Sequence, residues 1–189
     1  MKGLENNMIL KDYIKVSIAV AILAVSVYLI PPLTLPFSSV PFTLQTLMVV
    51  LIAYVYKPTQ AFIAITLYLF LGAIGLPIFS GGQGGFDKLV GPTGGFLVLF
   101  PFIAYFIAFF KTKDNHFINL SVGLGFGIAI IYLLATLWLS YSINISYLAA
   151  LTMMLPFIPF DIIKVFLAYS IYRRLPEDII YPLKETIHY

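Results

Sequence analysis

Residues 71–96 read LGAIGLPIFSGGQGGFDKLVGPTGGF and hold nine of the chain's thirteen glycines. This glycine-rich stretch lies between two strongly apolar segments, and Asp87 and Lys88 are the only charged residues between Lys57 and Lys111. Irregular backbone at membrane depth is tolerated where it is buried in protein or lines a cavity. The stretch therefore predicts a lid or a binding wall between two spans, and a flexible connector is the alternative.

The composition identifies the membrane as the environment of the chain. It has 189 residues, of which 61% are hydrophobic and 10% charged, with a mean hydropathy of +0.99. A soluble domain usually has about 25% charged residues. Six spans of roughly 20 residues would use about 120 residues, so we predict a single membrane domain over residues 1–189. The net charge of +3 does not suggest nucleic acid as a partner, and the lack of cysteine excludes disulfides.

The apolar segments predict an all-α integral membrane protein. Six transmembrane helices form the bundle, and the glycine-rich loop lies between the third and fourth helices. A polar leader of 12 residues precedes the first span, and a polar tail over residues 175–189 follows the last. The predicted spans are Tyr13–Ile30, Pro41–Tyr56, Thr59–Leu76, Gly95–Phe110, Phe117–Ser140 and an apolar region over Tyr147–Tyr172.

Basic residues sort to one side of this six-span topology. Nine of the eleven lysines and arginines fall on the side of the leader, while Lys88 falls on the other side and Lys164 lies in the last apolar region. Cytoplasmic loops of membrane proteins carry an excess of Lys and Arg. We therefore expect a multi-pass protein of the cell membrane with both termini in the cytoplasm, so the glycine-rich loop and the 31–40 loop face outward.

Two prolines divide the last apolar region. Pro156 and Pro159 interrupt it, and proline kinks or breaks a helix unless it stands in the first turn. The final helix is therefore expected to begin near Pro159, after a separate helical piece that returns from the outer surface. A continuous kinked helix is the alternative.

Asp161 and Lys164 are the strongest candidates for chemistry. They are the only charged residues between Asp114 and Arg173, and a charge inside an apolar span costs about 2.5–3.5 kcal/mol by the lower scales. At positions i and i+3 of a helix they share one face. They could form a purely structural ion pair, or they could bind a ligand that has both N–H donors and a carbonyl or carboxylate.

Two further polar groups are candidates for binding a ligand. Thr43, Gln45 and Thr46 stand in the apolar sequence PFTLQTL, where they could bind a ligand or only bond between helices. Lys88, next to Asp87, could reach the entrance of a site or be solvated. We find no cluster of metal ligands, no nucleophile–base pair and no phosphate-binding G-x-x-x-x-G-K-[ST] motif. The sequence thus predicts no metal site, no cofactor, no enzymatic activity and no ATPase.

Four motifs resemble one known family. VPFTLQTL at 40–47, LYLFLGAIGLPIFSGGQGG at 67–85, GPTGGF at 91–96 and LPFIPFDIIK at 155–164 are similar to the BioY-type biotin-specific substrate-binding (S) components of energy-coupling-factor (ECF) transporters. The resemblance implies a six-helix subunit that binds biotin with high affinity near the outer face. It also implies a transmembrane coupling (T) subunit and two cytoplasmic ABC ATPases as partners.

The resemblance also assigns residues. It places ligand binding on the loop glycines and on the acid and lysine of the last helix, here Gly81, Gly82, Gly84, Gly85, Asp161 and Lys164. An Ala-x-x-x-Ala stripe on the family's first helix contacts the coupling subunit, and Ser17, Ala21 and Ala24 are its loose counterpart here. Phe160 stands where the family usually has glycine before the aspartate, so it could crowd the pocket.

Two other functions stay open at this point. A sister S component for another vitamin would share the architecture and differ in the pocket. A stand-alone secondary transporter would normally show internal repeats and a site for a coupling ion, neither of which we find in the sequence.

Overall fold

The computed structural model describes residues 2–29, 32, 40–176 and 179–180. The predicted outward-facing loop over residues 31–40 therefore lies largely outside the described residues. Most of the predicted C-terminal tail over residues 175–189 lies outside them as well. In the described part of the chain all regular structure is helical, apart from isolated β-bridges at Phe42 and between Phe79 and Gln83. The helices are α1 (Lys2–Leu29), α2 (Gln45–Val55), α3 (Pro58–Ala73), α4 (Asp87–Val90), α5 (Gly94–Phe110), α6 (His116–Leu124), α7 (Ile131–Ser142), α8 (Tyr147–Met154) and α9 (Ile158–Arg174).

Among the described residues, three helical runs are long and apolar enough to cross a membrane. They cover Asp12–Leu29, His116–Ser142 and Tyr147–Arg174, while α2, α3 and α5 are shorter apolar helices. The second run joins α6 to α7 through a π-helical segment, Gly125–Ile130. α1 already begins at Lys2, so the polar leader continues the first helix. The predicted fourth span begins one residue away from the observed start of α5.

The last apolar region consists of two helices joined by a short 3₁₀ turn. α8 ends at Met154, the turn covers Leu155–Phe157, and α9 starts at Ile158. Pro159 stands in the first turn of α9, where its missing N–H removes no helical hydrogen bond. The prediction that the final helix begins near Pro159 is therefore confirmed. The observed start at Ile158 places Asp161 in the first turn of α9.

A lysine that directly follows α5 binds carbonyl groups at the end of α2, which covers 11 residues. Lys111 Nζ donates hydrogen bonds to the carbonyl oxygens of Ala53, Tyr54 and Tyr56 at 3.0, 2.7 and 2.6 Å. Pro58 follows and has no N–H to offer to Tyr54. Burial lowers the pKa of the Lys111 ammonium to about 7, and the three carbonyl acceptors oppose that effect because they favour the charged form.

Further contacts between helices lie at this same end of the bundle. Asp12 near the start of the hydrophobic part of α1 accepts a hydrogen bond from Gln60 Nε2 of α3 at 2.7 Å. His116 at the start of α6 contacts the hydroxyl of Tyr169 at 2.7 Å and the guanidinium of Arg173 at 3.2 Å, both on α9. These contacts join segments of the chain that the distribution of basic residues predicts to lie on the same side of the membrane.

The glycine-rich stretch folds back against α3 at the opposite end. A Cβ atom at Gly72 would lie 2.2 Å from the ring of Phe79, so only glycine leaves room for this buried ring. Tyr28 near the end of α1 donates a hydrogen bond to the Pro77 carbonyl, and Trp138 of α7 donates one to the Gly91 carbonyl at 2.9 Å. The stretch is thus attached to both α1 and α7.

Candidate functional site

A cavity of about 470 Å³ opens beside the glycine-rich stretch. Its wall combines the segment before and at the start of α2, the glycine-rich stretch, the beginning of α5, and residues of α7, α8 and α9. The polar wall residues are Thr43, Gln45, Thr46, Ser80, Gln83, Asp87, Lys88, Thr93, Tyr132, Asp161 and Lys164. Most of the remaining wall is aromatic or aliphatic, as expected of a site for a small organic molecule.

A buried ion pair lies in the cavity wall. Lys164 Nζ is 2.6 Å from Asp161 Oδ1, and each residue is only 6% exposed. Tyr132 on α7 donates a hydrogen bond to the other carboxylate oxygen, Asp161 Oδ2, at 2.7 Å. A carboxylate has about four lone-pair positions, so two acceptor positions of Asp161 remain for a ligand.

An aromatic ring covers the lysine of this pair. Lys164 Nζ lies 3.8 Å from the centroid of the Phe42 ring, which is within the range of a cation–π contact. Phe160 packs edge-to-face against Phe42, with ring centroids 5.5 Å apart. Phe160 itself is 55% exposed and is not among the residues that line the cavity. Crowding of the pocket by this residue is therefore not observed.

Gln45 and Thr43 line the cavity next to the pair. Gln45 Nε2 donates to the Tyr68 hydroxyl at 2.5 Å, and Tyr68 donates onward to the Ile78 carbonyl at 2.7 Å. This chain of hydrogen bonds fixes the amide of Gln45 and connects the wall to the glycine-rich stretch. The side-chain oxygen of Gln45 accepts only a long contact of 3.4 Å from the Thr43 hydroxyl, so it can accept a hydrogen bond from a ligand.

The four loop glycines predicted to bind the ligand divide into two groups. Gly81 lines the cavity, whereas Gly82, Gly84 and Gly85 do not. A Cβ atom at Gly84 would lie 2.3 Å from the Leu76 carbonyl oxygen, and Gly85 has a φ of +115° that side chains rarely allow. In this structure the last three residues build the turn, and Gly81 contributes to the wall.

Lys88 and Asp87 reach the cavity from α4. Lys88 Nζ lies 3.2 Å from Asp87 Oδ2, with 34% and 69% of the two side chains exposed. Such an exposed pair contributes little to stability, so Lys88 can exchange its partner for a ligand carboxylate at small cost.

Sequence reasoning did not identify Tyr132 and Ser80 as site residues. Tyr132 stands in the apolar sequence IIYLLATLWL, where a tyrosine is typical of a buried core. Its position within hydrogen-bond distance of Asp161 depends on tertiary structure, which no local pattern encodes. Ser80 lies within the quoted motif, where a serine beside glycines is typical of an ordinary turn.

The predicted partner stripe lies on the outer surface of α1. Ser17 and Ala21 are exposed and Ala24 is partly buried. The first two residues are therefore not used for packing within the described part of the chain.

Fold and site together define a helical membrane protein with an internal cavity for a small molecule that carries polar groups. The chain belongs to the BioY family, whose sequence profile matches residues 2–179. It is 38% identical to the biotin transporter BioY2 of Lactococcus lactis over 159 residues, which cover 80% of this chain and 82% of that protein. It is 36% identical to the biotin transporter BioY of Thermotoga maritima, with 88% of this chain and 96% of the relative covered.

A solved structure shares the fold as well as the sequence. The crystal structure of the S component for biotin from an ECF-type ABC transporter superposes with a TM-score of 0.85 at 31% identity. The match covers 89% of this chain and 92% of the other. The family resemblance expected from the four motifs is thus confirmed.

Replacing Phe160 with glycine distinguishes support of the Phe42 ring from crowding of the pocket. If Phe160 holds Phe42 over Lys164, Phe160→Gly should weaken ligand binding by about two- to tenfold, because an edge-to-face pair contributes about 0.5–1.5 kcal/mol. Phe166→Ala is the matched control, since Phe166 is an exposed phenylalanine of the same helix. Both affinities are measured by calorimetry. Tighter binding by Phe160→Gly would support crowding and contradict the expected result.

Proposed function

We propose that this chain is a high-affinity biotin-binding S component of an ECF-type ABC importer, which captures biotin at the outer face for ATP-driven uptake by partner subunits. The observation that carries the proposal is the buried Asp161–Lys164 pair, joined at 2.6 Å, in the wall of a cavity of suitable size. The biotin transporters among its relatives support the choice of ligand.

The chemistry of the wall matches that of biotin. Biotin has a ureido group with two N–H donors and one carbonyl, an apolar thioether ring and a carboxylate tail. The unused acceptor positions of Asp161 suit the N–H donors, and Lys164 suits the carbonyl. Phe42 and Phe96 supply apolar wall on which the ring system can pack, and Thr43, Gln45 and Gly81 complete the polar surroundings.

The carboxylate tail is assigned to the loop side of the cavity. Lys88 is the basic residue of the wall that is not held in a buried pair, and it stands on α4 within the glycine-rich stretch. Gly82, Gly84 and Gly85 support this side by shaping the turn that carries the wall residues.

We further propose that one membrane domain, residues 1–189, crosses the bilayer six times. The crossings are α1, α2, α3, α5, the run from α6 to α7, and the run from α8 to α9. Contacts among helix ends at the end of the bundle opposite the cavity, together with the excess of basic residues there, support cytoplasmic termini and an outward-facing cavity.

Energy for uptake comes from partners in this proposal. The sequence has no nucleotide-binding motif, and the S component in the matching solved structure comes from an ECF-type ABC transporter. We assign the exposed Ser17–Ala21 face of α1, with Ala24 beside it, to a transmembrane coupling subunit, which in turn binds two cytoplasmic ABC ATPases.

Calorimetry on the purified protein tests the ligand assignment. Biotin should bind in the absence of ATP with a stoichiometry near one, and riboflavin and thiamine should give no binding heat. A signal with either of these vitamins and none with biotin would make the chain an S component for another vitamin. Accumulation of biotin against a gradient in liposomes that hold this chain alone would instead indicate a stand-alone transporter.

A further inference from the structure

The hydroxyl of Ser80 is a buried polar group without a hydrogen-bond partner among the residues that the structure describes. Its Oγ atom is shielded from solvent and has no hydrogen bond within the described part of the chain. Leaving a buried donor or acceptor unsatisfied costs about 1–3 kcal/mol, and such groups in native structures call for an explanation. Ser80 and its two neighbours, Phe79 and Gly81, all belong to the cavity wall.

The fold does not require this hydroxyl. Serine in a turn usually bonds to nearby backbone, but here the turn is closed by backbone groups alone. Phe79 N donates to the Gln83 carbonyl at 2.8 Å, and Gly82 N donates to the Phe79 carbonyl at 3.0 Å. Positive φ angles of +73° and +66° at Gly81 and Gly82 complete the turn without help from the side chain of Ser80.

We propose that Ser80 is a ligand-binding residue whose hydroxyl donates a hydrogen bond to the carboxylate of the bound ligand. This inference rests on the proposed function, in which the ureido group is bound by Asp161 and Lys164 and the tail faces the loop. Ser80 lies on the same loop as Lys88, and both line the cavity. The side chain of serine has three staggered χ1 positions, so a change of rotamer can reorient the hydroxyl without moving the backbone.

The proposal predicts that affinity and stability respond in opposite directions to Ser80→Ala. The loss of a hydrogen bond to a charged group should weaken biotin binding about tenfold or more. The thermal midpoint of the ligand-free protein should stay the same or rise, because the variant removes an unsatisfied group. Ser80→Cys, which nearly keeps the size of the side chain but has only a weak donor, should also lose affinity.

Ser140→Ala is the matched control with the reverse behaviour. Ser140 Oγ donates to the Ile145 carbonyl at 2.7 Å, and the residue does not line the cavity. Its loss should lower the thermal midpoint and leave biotin affinity unchanged. A Ser80→Ala protein that binds biotin within twofold of the wild type would overturn the proposal.

A neutral ligand tests the assignment to the carboxylate. With biotin amide, Ser80→Ala should cost clearly less affinity than with biotin, because the hydrogen bond is no longer to a charged group. Equal losses for both ligands would place the hydroxyl elsewhere on the ligand and overturn the assignment. The wild-type titration in the same series separates the two proposals: absence of wild-type binding refutes the proposed function, whereas binding that Ser80→Ala does not weaken refutes only the role of Ser80.

Discussion

The double variant Asp161→Leu/Lys164→Met should fold and lose at least about 100-fold in biotin affinity. Each hydrogen bond between a charged group and the ligand is worth about 1.5–3 kcal/mol, or roughly 10- to 150-fold in affinity. Replacement of a whole buried ion pair with apolar residues is often neutral or stabilising, whereas removal of one partner leaves an uncompensated charge. The two single variants should therefore melt below the double variant.

A further substitution at Tyr132 adds a second test of stability to this experiment. The double variant removes the acceptor of the Tyr132 hydroxyl, which donates to Asp161 Oδ2 at 2.7 Å. Adding Tyr132→Phe removes that orphaned donor, so the triple variant should melt at the same temperature as the double variant or above it. Titration calorimetry and a melting curve of each protein check both expectations. Near-native affinity in the double variant would exclude the pair from the site and leave the glycine-rich stretch as the main candidate.

Lys111→Met should lower the thermal midpoint by about 5 °C or more. The substitution deprives three carbonyl groups at the end of α2 of their donor, and each unsatisfied group costs about 1–3 kcal/mol. For a chain of this size, 1 kcal/mol corresponds to about 2–4 °C. Melting of the detergent-purified protein measures the effect.

The control for Lys111 stands two residues away in the same turn. Lys113 is exposed, so Lys113→Met should leave the thermal midpoint unchanged. Biotin affinity should be native in both variants, because the 11 residues of α2 separate Lys111 from the cavity by about 16 Å. Equal melting of the two variants would show that Lys111 does not stabilise the end of α2.

The sequence predicts the helices whose ends carry local signals. Pro159 marks the start of α9, and the charged turn after Phe110 marks the end of α5, so both boundaries are placed within a residue or two. α2 is different, because the predicted span began at Pro41 and the helix begins only at Gln45. An apolar run does not distinguish helix from the irregular segment that contributes Phe42 and Thr43 to the cavity.

Residues of the cavity wall were predictable from sequence when their chemistry was unusual for their surroundings. Asp161 and Lys164 are conspicuous because charge is rare in an apolar span. Tyr132 and Ser80 are ordinary residues in their segments. Only tertiary structure reveals that Tyr132 bonds to Asp161 and that the Ser80 hydroxyl has no hydrogen bond within the described ranges of the chain. The loop glycines show the opposite case. Gly84 and Gly85 were predicted to bind the ligand, but they lie outside the cavity wall.

The Asp161–Lys164 pair also has a consequence for biogenesis. Both charges belong to α9 and lie at i and i+3, so they can neutralise each other before any other helix has packed beside them. Each charge alone would burden membrane insertion of the hydrophobic run Tyr147–Arg174 by about 2.5–3.5 kcal/mol. Their spacing lets the nascent segment enter the lipid with its charges already compensated, so the two charged groups of the cavity wall need not wait for the bundle to assemble before they are neutralised.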